Sequence, residues 1–156
     1  MNSLQQKPKN FLIINGPNLN LLGTREVETY GKKTLPEIQQ WTQDNLTNHN
    51  VKCHLTWEQT NSESKIIDFI QSVKSSNKFD GVVINPGGLS HTSVSILDAL
   101  LAIKPFPIVE VHLSNPFARE EFRRSMLTAK AATMIMSGLG DRVYFHAVVA
   151  LHEFLS

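Results

Sequence analysis

An α/β domain, with a parallel sheet of about five strands and helices on both faces, is the fold that this sequence predicts. Three observations predict it. Short apolar, β-branched runs alternate along the chain with longer stretches whose apolar residues recur at helical spacing. Parallel strands need crossover helices, and such helices hide both faces of the sheet from water. The composition fits one ordinary soluble domain: 156 residues, 41% hydrophobic and 19% charged, enough to bury a real core.

The first strand is Phe11 to Ile14, a buried run stopped by the turn Asn15-Gly16-Pro17. A long connection, Gly16 to Lys33, follows and holds Gly16, Gly23, Tyr30 and Gly31; loops of this length in compact domains are functional or disordered. Thr34 with Glu37 forms a capping box, and Leu35, Ile38, Trp41 and Leu46 then mark a helix. Val51 to Trp57 is the second strand. Ser62 to Lys74 is a helix carrying Ile66, Ile67, Ile70 and Val73, and Gly81 to Ile84 is the third strand. The alternation continues with a helix near Ser93 to Ala102, the strand Ile108 to His112, a helix around Arg119 to Ser125, the strand Thr133 to Met136 and a final helix from Asp141 to Leu155. About five strands in this pattern suggest a flavodoxin-like topology. One domain is expected over residues 1–156, with residues 1–9 as a flexible N-terminal extension; no repeat, low-complexity tract or linker is visible.

Fifteen basic against fourteen acidic residues give a net charge of +1, too little field to hold nucleic acid or an anionic membrane, so a small-molecule partner is expected. Cys53 is the only cysteine, which excludes an intramolecular disulfide and a paired-cysteine zinc site and fits a reducing compartment. The polar stretch Met1 to Asn10 lacks the apolar core of a signal peptide, and no apolar run approaches the roughly 20 residues of a membrane span. A cytoplasmic protein is expected.

Open parallel sheets bind ligands beyond the carboxyl ends of their strands. That rule directs attention to Asn15 to Thr34, Asn85 to Ser93 and His112 to Arg123. Glu110 and His112 are two apart in the fourth strand, so the pleat points both to one face, among Ile108, Val109 and Val111. A carboxylate beside an imidazole fixes its tautomer and stabilises the imidazolium, which suits His112 to general acid work. A purely structural Glu–His pair fits the same spacing equally well.

Tyr30 lies in the first long loop, five residues after Arg25. A phenol ordinarily titrates near pH 10, so about one in a thousand is ionised at pH 7, and a guanidinium at the oxygen favours the charged form. Tyr30 is thus a candidate base; a loop tyrosine that merely packs is the commoner case. Asn85-Pro86-Gly87-Gly88 and His91-Thr92-Ser93 suit close backbone approach and polar ligands, or a simple turn with a helix cap. His112-Leu113-Ser114-Asn115-Pro116 offers backbone N–H groups and a hydroxyl to a carboxylate. Arg119, Arg123 and Arg124 follow on a charged stretch of the kind that usually forms a solvated face.

Several familiar sites are absent. Gly138-Leu139-Gly140-Asp141-Arg142-Val143 begins like a dinucleotide fingerprint but lacks its third glycine and its later acid. The six histidines show no His-Glu-x-x-His spacing, and no Walker-type loop is present, so neither metal nor nucleoside triphosphate is indicated.

Together, Asn15-Gly16-Pro17-Asn18-Leu19-Asn20-Leu21-Leu22-Gly23, Arg25-Glu26 with Tyr30-Gly31, and Asn85-Pro86-Gly87-Gly88-Leu89-Ser90-His91-Thr92-Ser93 strongly resemble the type II dehydroquinases. Glu110-Val111-His112-Leu113-Ser114-Asn115 and Ala118-Arg119-Glu120-Glu121-Phe122-Arg123-Arg124 extend the resemblance from Phe11 to the last helix. It implies a flavodoxin-like fold, a dodecamer built as a tetramer of trimers, and a cofactor-free elimination of water from 3-dehydroquinate, in shikimate biosynthesis or quinate breakdown. By the same resemblance Tyr30 removes a proton from C2, Arg25 favours its charged form, and Asn18 helps, through water, to stabilise an enolate. His112, oriented by Glu110, protonates the departing C1 hydroxyl. Asn85, His91 and Arg123 would hold the ring hydroxyls, Ser114 with the backbone of Leu113 and Ser114 the carboxylate, and Asp98 would reach a neighbouring subunit's site.

The sequence departs from the family pattern at Val27, where a proline usually follows Arg-Glu, at Ser64 for a frequent glycine, and at Ala129-Lys130 for Ser-Pro. Two other classes fit the fold. A flavodoxin-like nucleotide or flavin binder remains open. A response-regulator-like domain needs clustered acids at the end of the first strand, where this chain has Asn15.

Overall fold

A computed structural model describes residues 7–156. Five strands, β1 (Lys9–Asn15), β2 (Cys53–Gln59), β3 (Gly81–Asn85), β4 (Ile108–His112) and β5 (Met134–Ser137), form one sheet in the order β2-β1-β3-β4-β5. Every neighbouring pair is parallel. This is the strand order of flavodoxin-like doubly wound sheets, as the sequence predicts. The helices are α1 (Val27–Tyr30), a single turn inside the long first connection, then α2 (Leu35–Asn48), α3 (Glu63–Ser76), α4 (Val94–Ala102) and α5 (Val143–Phe154).

The period-two alternation of a strand divides the apolar residues between two cores. Phe11, Ile13, Val83, Val109 and Val111 pack with Ile38 and Leu46 of α2 and Val148 of α5. Leu12, Ile14, Val82, Ile84 and Ile108 pack with Ile66 and Ile70 of α3 and Ile96 and Leu100 of α4. Each such side chain, fully buried, contributes about 1.5–3 kcal/mol of transfer free energy. The same phase carries Asn15 and Asn85 to the α5 side and Glu110 and His112 to the α4 side.

The predicted capping box is present: the Thr34 N–H donates to Glu37 Oε2 at 2.7 Å, and the Glu37 N–H donates to Thr34 Oγ1 at 3.4 Å. The first of these bonds holds the Glu37 carboxyl below its usual range. Strand β2 starts two residues later than expected. The Val51 N–H still bonds the Leu46 carbonyl at 2.9 Å, and Asn50 is left-handed, so the end of α2 claims Val51.

The helix expected around Arg119 to Ser125 does not form. A 3₁₀ turn at Glu121–Arg124 takes its place. Phe122 is the only apolar residue in that turn and it is exposed, so there is no apolar stripe to dock on the sheet. At the other end, Lys9 of the expected extension pairs with Cys53 in the sheet, while residues 1–6 of it lie outside the described residues. Among the described residues, no helix is long and apolar enough to cross a membrane.

Candidate active site

A cavity of about 140 Å³ opens beyond the carboxyl ends of β1, β3 and β4. Two turns form its floor. The Gly16 N–H bonds the Asn85 carbonyl at 2.8 Å, and a Cβ at Gly16 would stand 2.7 Å from the Pro86 carbonyl oxygen. Only glycine permits that approach of backbone to backbone, which brings the segments starting at Asn15 and Asn85 together. Asn18, left-handed at φ 69°, is held from the β2 side, where Asn61 Oδ1 accepts from its N–H at 2.9 Å.

Tyr30 ends α1 and lines the cavity. Arg119 Nη1 donates to its hydroxyl oxygen at 2.7 Å and sits 3.4 Å from Ser114 Oγ. Arg25 also lines the cavity, but it lies against the ring, 5.3 Å from the centroid, and its guanidinium pairs with Glu26 at 3.0 Å. A guanidinium has no acceptor, so the Tyr30 oxygen must accept from Arg119.

His112, at the end of β4, lines the same cavity. Its Nε2 lies 2.8 Å from Glu110 Oε1. The predicted pleat relation therefore places carboxylate and imidazole in contact, and Nε2–H is the donor, leaving Nδ1 as the other ring nitrogen. Glu110 is fully buried. Besides His112 it accepts from Ser90 Oγ at 2.7 Å on Oε1 and from Thr128 Oγ1 at 2.7 Å on Oε2.

His91 stacks on His112 with ring centroids 6.4 Å apart. Its Nδ1 is 3.0 Å from the Ser125 carbonyl, which can only accept, so Nδ1 carries the proton and Nε2 remains an acceptor. Loss of solvent holds this imidazole below the usual histidine range, against the pull of the Ser125 carbonyl; His112 and Arg123 add smaller downward effects.

Asn85 is fixed at both ends of its amide: Oδ1 accepts from the Gly87 N–H at 3.2 Å, and Nδ2 donates to the Tyr144 hydroxyl at 3.0 Å. The Tyr144 hydroxyl donates in turn to Asn15 Oδ1. Burial pushes the Tyr144 phenol well above its ordinary range, with the bond from Asn85 opposing. Of the chain's two tyrosines, only Tyr30 lines this cavity.

The fold thus gathers Asn18, Arg25, Tyr30, Asn85, His91, His112, Leu113, Ser114 and Arg123 around one cavity. Two sequence candidates lie elsewhere: Glu110 sits behind His112, and Asp98 is exposed on α4. Arg119 lines the cavity although its charged surroundings read as a solvated face. Ser90 and Thr128 carry no signal of their own; only the cost of burying Glu110 unpartnered announces that such donors must exist.

The family model for class II dehydroquinases matches residues 9–152. A 3-dehydroquinate dehydratase of Prochlorococcus marinus subsp. pastoris is 48% identical over 147 residues, which is 94% of this chain and 97% of that relative. The crystal structure of a type II dehydroquinase from Butyrivibrio crossotus superposes with a TM-score of 0.87 at 36% identity, covering 92% of this chain and 97% of that one. A type II dehydroquinase from Propionibacterium acnes gives 0.84 at 33% identity, covering 94% and 98%. Sheet order, cavity and these matches converge: the chain belongs to the class II dehydroquinase family.

Proposed function

We propose that this chain is a 3-dehydroquinate dehydratase, removing water from 3-dehydroquinate to give 3-dehydroshikimate through an enolate. The observation that carries the reading is a pair of partnered groups lining one cavity. A phenol accepts from a guanidinium at 2.7 Å, and an imidazole donates to a buried carboxylate at 2.8 Å. The first gives a base that must carry charge a cationic donor at its oxygen; the second gives a general acid a carboxylate that holds its ring in place.

In this scheme Tyr30 takes the proton from C2, and the electron pair of that C–H bond moves into the neighbouring carbonyl as an enolate. Asn18, through water, stabilises the developing oxyanion. The enolate then collapses, the C1–O bond breaks, and His112 gives its proton to the departing hydroxyl, so that water leaves. Glu110 stabilises the imidazolium. Arg25 lies over the Tyr30 ring, and Arg119 holds the oxygen that carries the charge. The scheme draws on no cofactor.

Binding follows from the remaining lining. Ser114 and the backbone of Leu113 and Ser114 hold the substrate carboxylate. Asn85, His91 and Arg123 take the ring hydroxyls, with His91 Nε2 accepting because Nδ1 is committed to Ser125. Asp98 reaches a neighbouring subunit's site within a dodecamer built as a tetramer of trimers, in the cytoplasm. Val94 and Leu101, exposed beside Asp98 on α4, support a subunit contact on that face.

The test is direct. Purified protein mixed with 3-dehydroquinate develops the ultraviolet absorbance of a conjugated enone. Protein that leaves the absorbance unchanged, or that carries a bound flavin chromophore, contradicts the reading.

A further inference from the structure

We propose that Ser90 and Thr128 are positioning residues for the elimination, acting on His112 through Glu110 as a buried two-hydroxyl clamp. The inference rests on the reading of His112 as the acid. Glu110 is the one carboxylate among the fully buried side chains described, and it sits on the apolar α4 side of the sheet, in phase with Ile108. A carboxylate there is costly unless it is partnered, and one free to turn does not hold the imidazole in place.

Three donors prevent this. His112 and Ser90 share Oε1, while Thr128 Oγ1 holds Oε2 at 2.7 Å. Ser90 and Thr128 are themselves fully buried, so no water competes for these bonds. With both oxygens anchored, the carboxylate plane cannot turn, and Oε1 stays aimed at His112 Nε2. Thr128 and Ser90 also touch each other, Oγ1 to Oγ at 3.2 Å.

The backbone fixes the clamp independently of the hydroxyls. The Leu127 N–H bonds the Ser90 carbonyl at 2.7 Å, locking the 3₁₀ turn Thr128–Ala131 against the turn after β3. Because this bond survives side-chain changes, the near-isosteric Thr128→Val removes the hydroxyl and leaves the turn in place.

The experiment is a double-mutant cycle between Thr128→Val and Glu110→Gln, with Ser90→Ala as a second variant on the other carboxylate oxygen. A hydrogen bond to a charged group is worth about 1.5–3 kcal/mol, so Thr128→Val lowers kcat roughly 10- to 100-fold. KM stays within about twofold, and Thr128→Ser restores most of the rate. Residues acting through one another are non-additive, so in Glu110→Gln the added Thr128→Val costs less than about twofold. Ser90→Ala repeats this pattern. Effects that multiply, or that fall on KM, overturn the inference.

Ring ¹⁵N spectra of His112 provide a readout free of turnover. The neutral wild-type ring carries its proton on Nε2, and Thr128→Val gives a mixture of tautomers; an unchanged tautomer in Thr128→Val counts against the clamp. A wild type inert toward 3-dehydroquinate overturns the proposed function instead, and the spectra then decide on the clamp alone.

Discussion

Arg119 Nη1 donates a 2.7 Å hydrogen bond to the hydroxyl oxygen of Tyr30 across 89 positions of sequence. Arg25, much nearer in sequence, meets the same tyrosine through its ring. The two guanidinium groups therefore do different work: one bonds the oxygen that must carry charge, and the other adds a field from the ring side.

Removing the direct bond has a calculable effect. Arg119→Ala loses a charge-assisted hydrogen bond worth about 1.5–3 kcal/mol and lowers kcat roughly 10- to 100-fold or more. Arg119→Lys keeps the charge without the planar fork and recovers only part of the rate. Steady-state kinetics on the two variants check both expectations; an unimpaired Arg119→Ala removes this arginine from the account.

The first long loop is expected to be the least stable part of the site. Helix α1 is one turn and buries none of its residues. Val27 stands at its first position, where the family usually has a proline that would restrict the backbone. Amide exchange over Gly23 to Gly31 is therefore fast in ligand-free protein and slows on binding of a substrate analogue. Low B-factors for this loop in ligand-free crystals contradict the expectation.

His91 gives a pH dependence with a definite sign. Its folded-state titration lies below the ordinary histidine value near 6.5, chiefly from loss of solvent. The unfolded chain thus takes up this proton first. The stability associated with the neutral ring is present above about pH 6.5 and is lost as pH falls through the lower folded value. Affinity for the substrate falls in the same acidic window, because a protonated Nε2 no longer accepts from a hydroxyl. In His91→Asn the KM profile flattens below pH 6.5; a profile identical to wild type contradicts the assignment.

Thr42 offers a stability test away from the site. Its hydroxyl is buried in α2 without a hydrogen-bond partner among the described residues. An unsatisfied buried polar group costs about 1–3 kcal/mol, so Thr42→Val raises stability by roughly 1 kcal/mol in urea denaturation without altering turnover. A destabilised Thr42→Val shows that the hydroxyl is satisfied after all.

The sheet and half of the site were legible in the sequence because both follow short-range rules. The pleat alone places Glu110 and His112 on one face, and Thr34 with Glu37 announces the start of α2 through a local bond pair. Arg119 was not legible as a partner of Tyr30, because the two meet only when the chain after β4 folds back over the cavity. The same charged run that hid Arg119 also suggested a helix, which needs an apolar stripe the segment lacks. Thr128 and Ser90 escaped notice for a related reason: a hydroxyl in a loop has no period, and its burial depends on distant packing.

The assignment of the base is tested most directly by turnover of Tyr30→Phe, which keeps the ring and its packing and deletes one oxygen. Positioned acid–base groups contribute about 10²–10⁴-fold, so the ultraviolet assay with 3-dehydroquinate should show a loss in that range or greater, as for His112→Ala, with an unchanged circular dichroism spectrum. Tyr30→Phe turning over at near the wild-type rate would contradict the account.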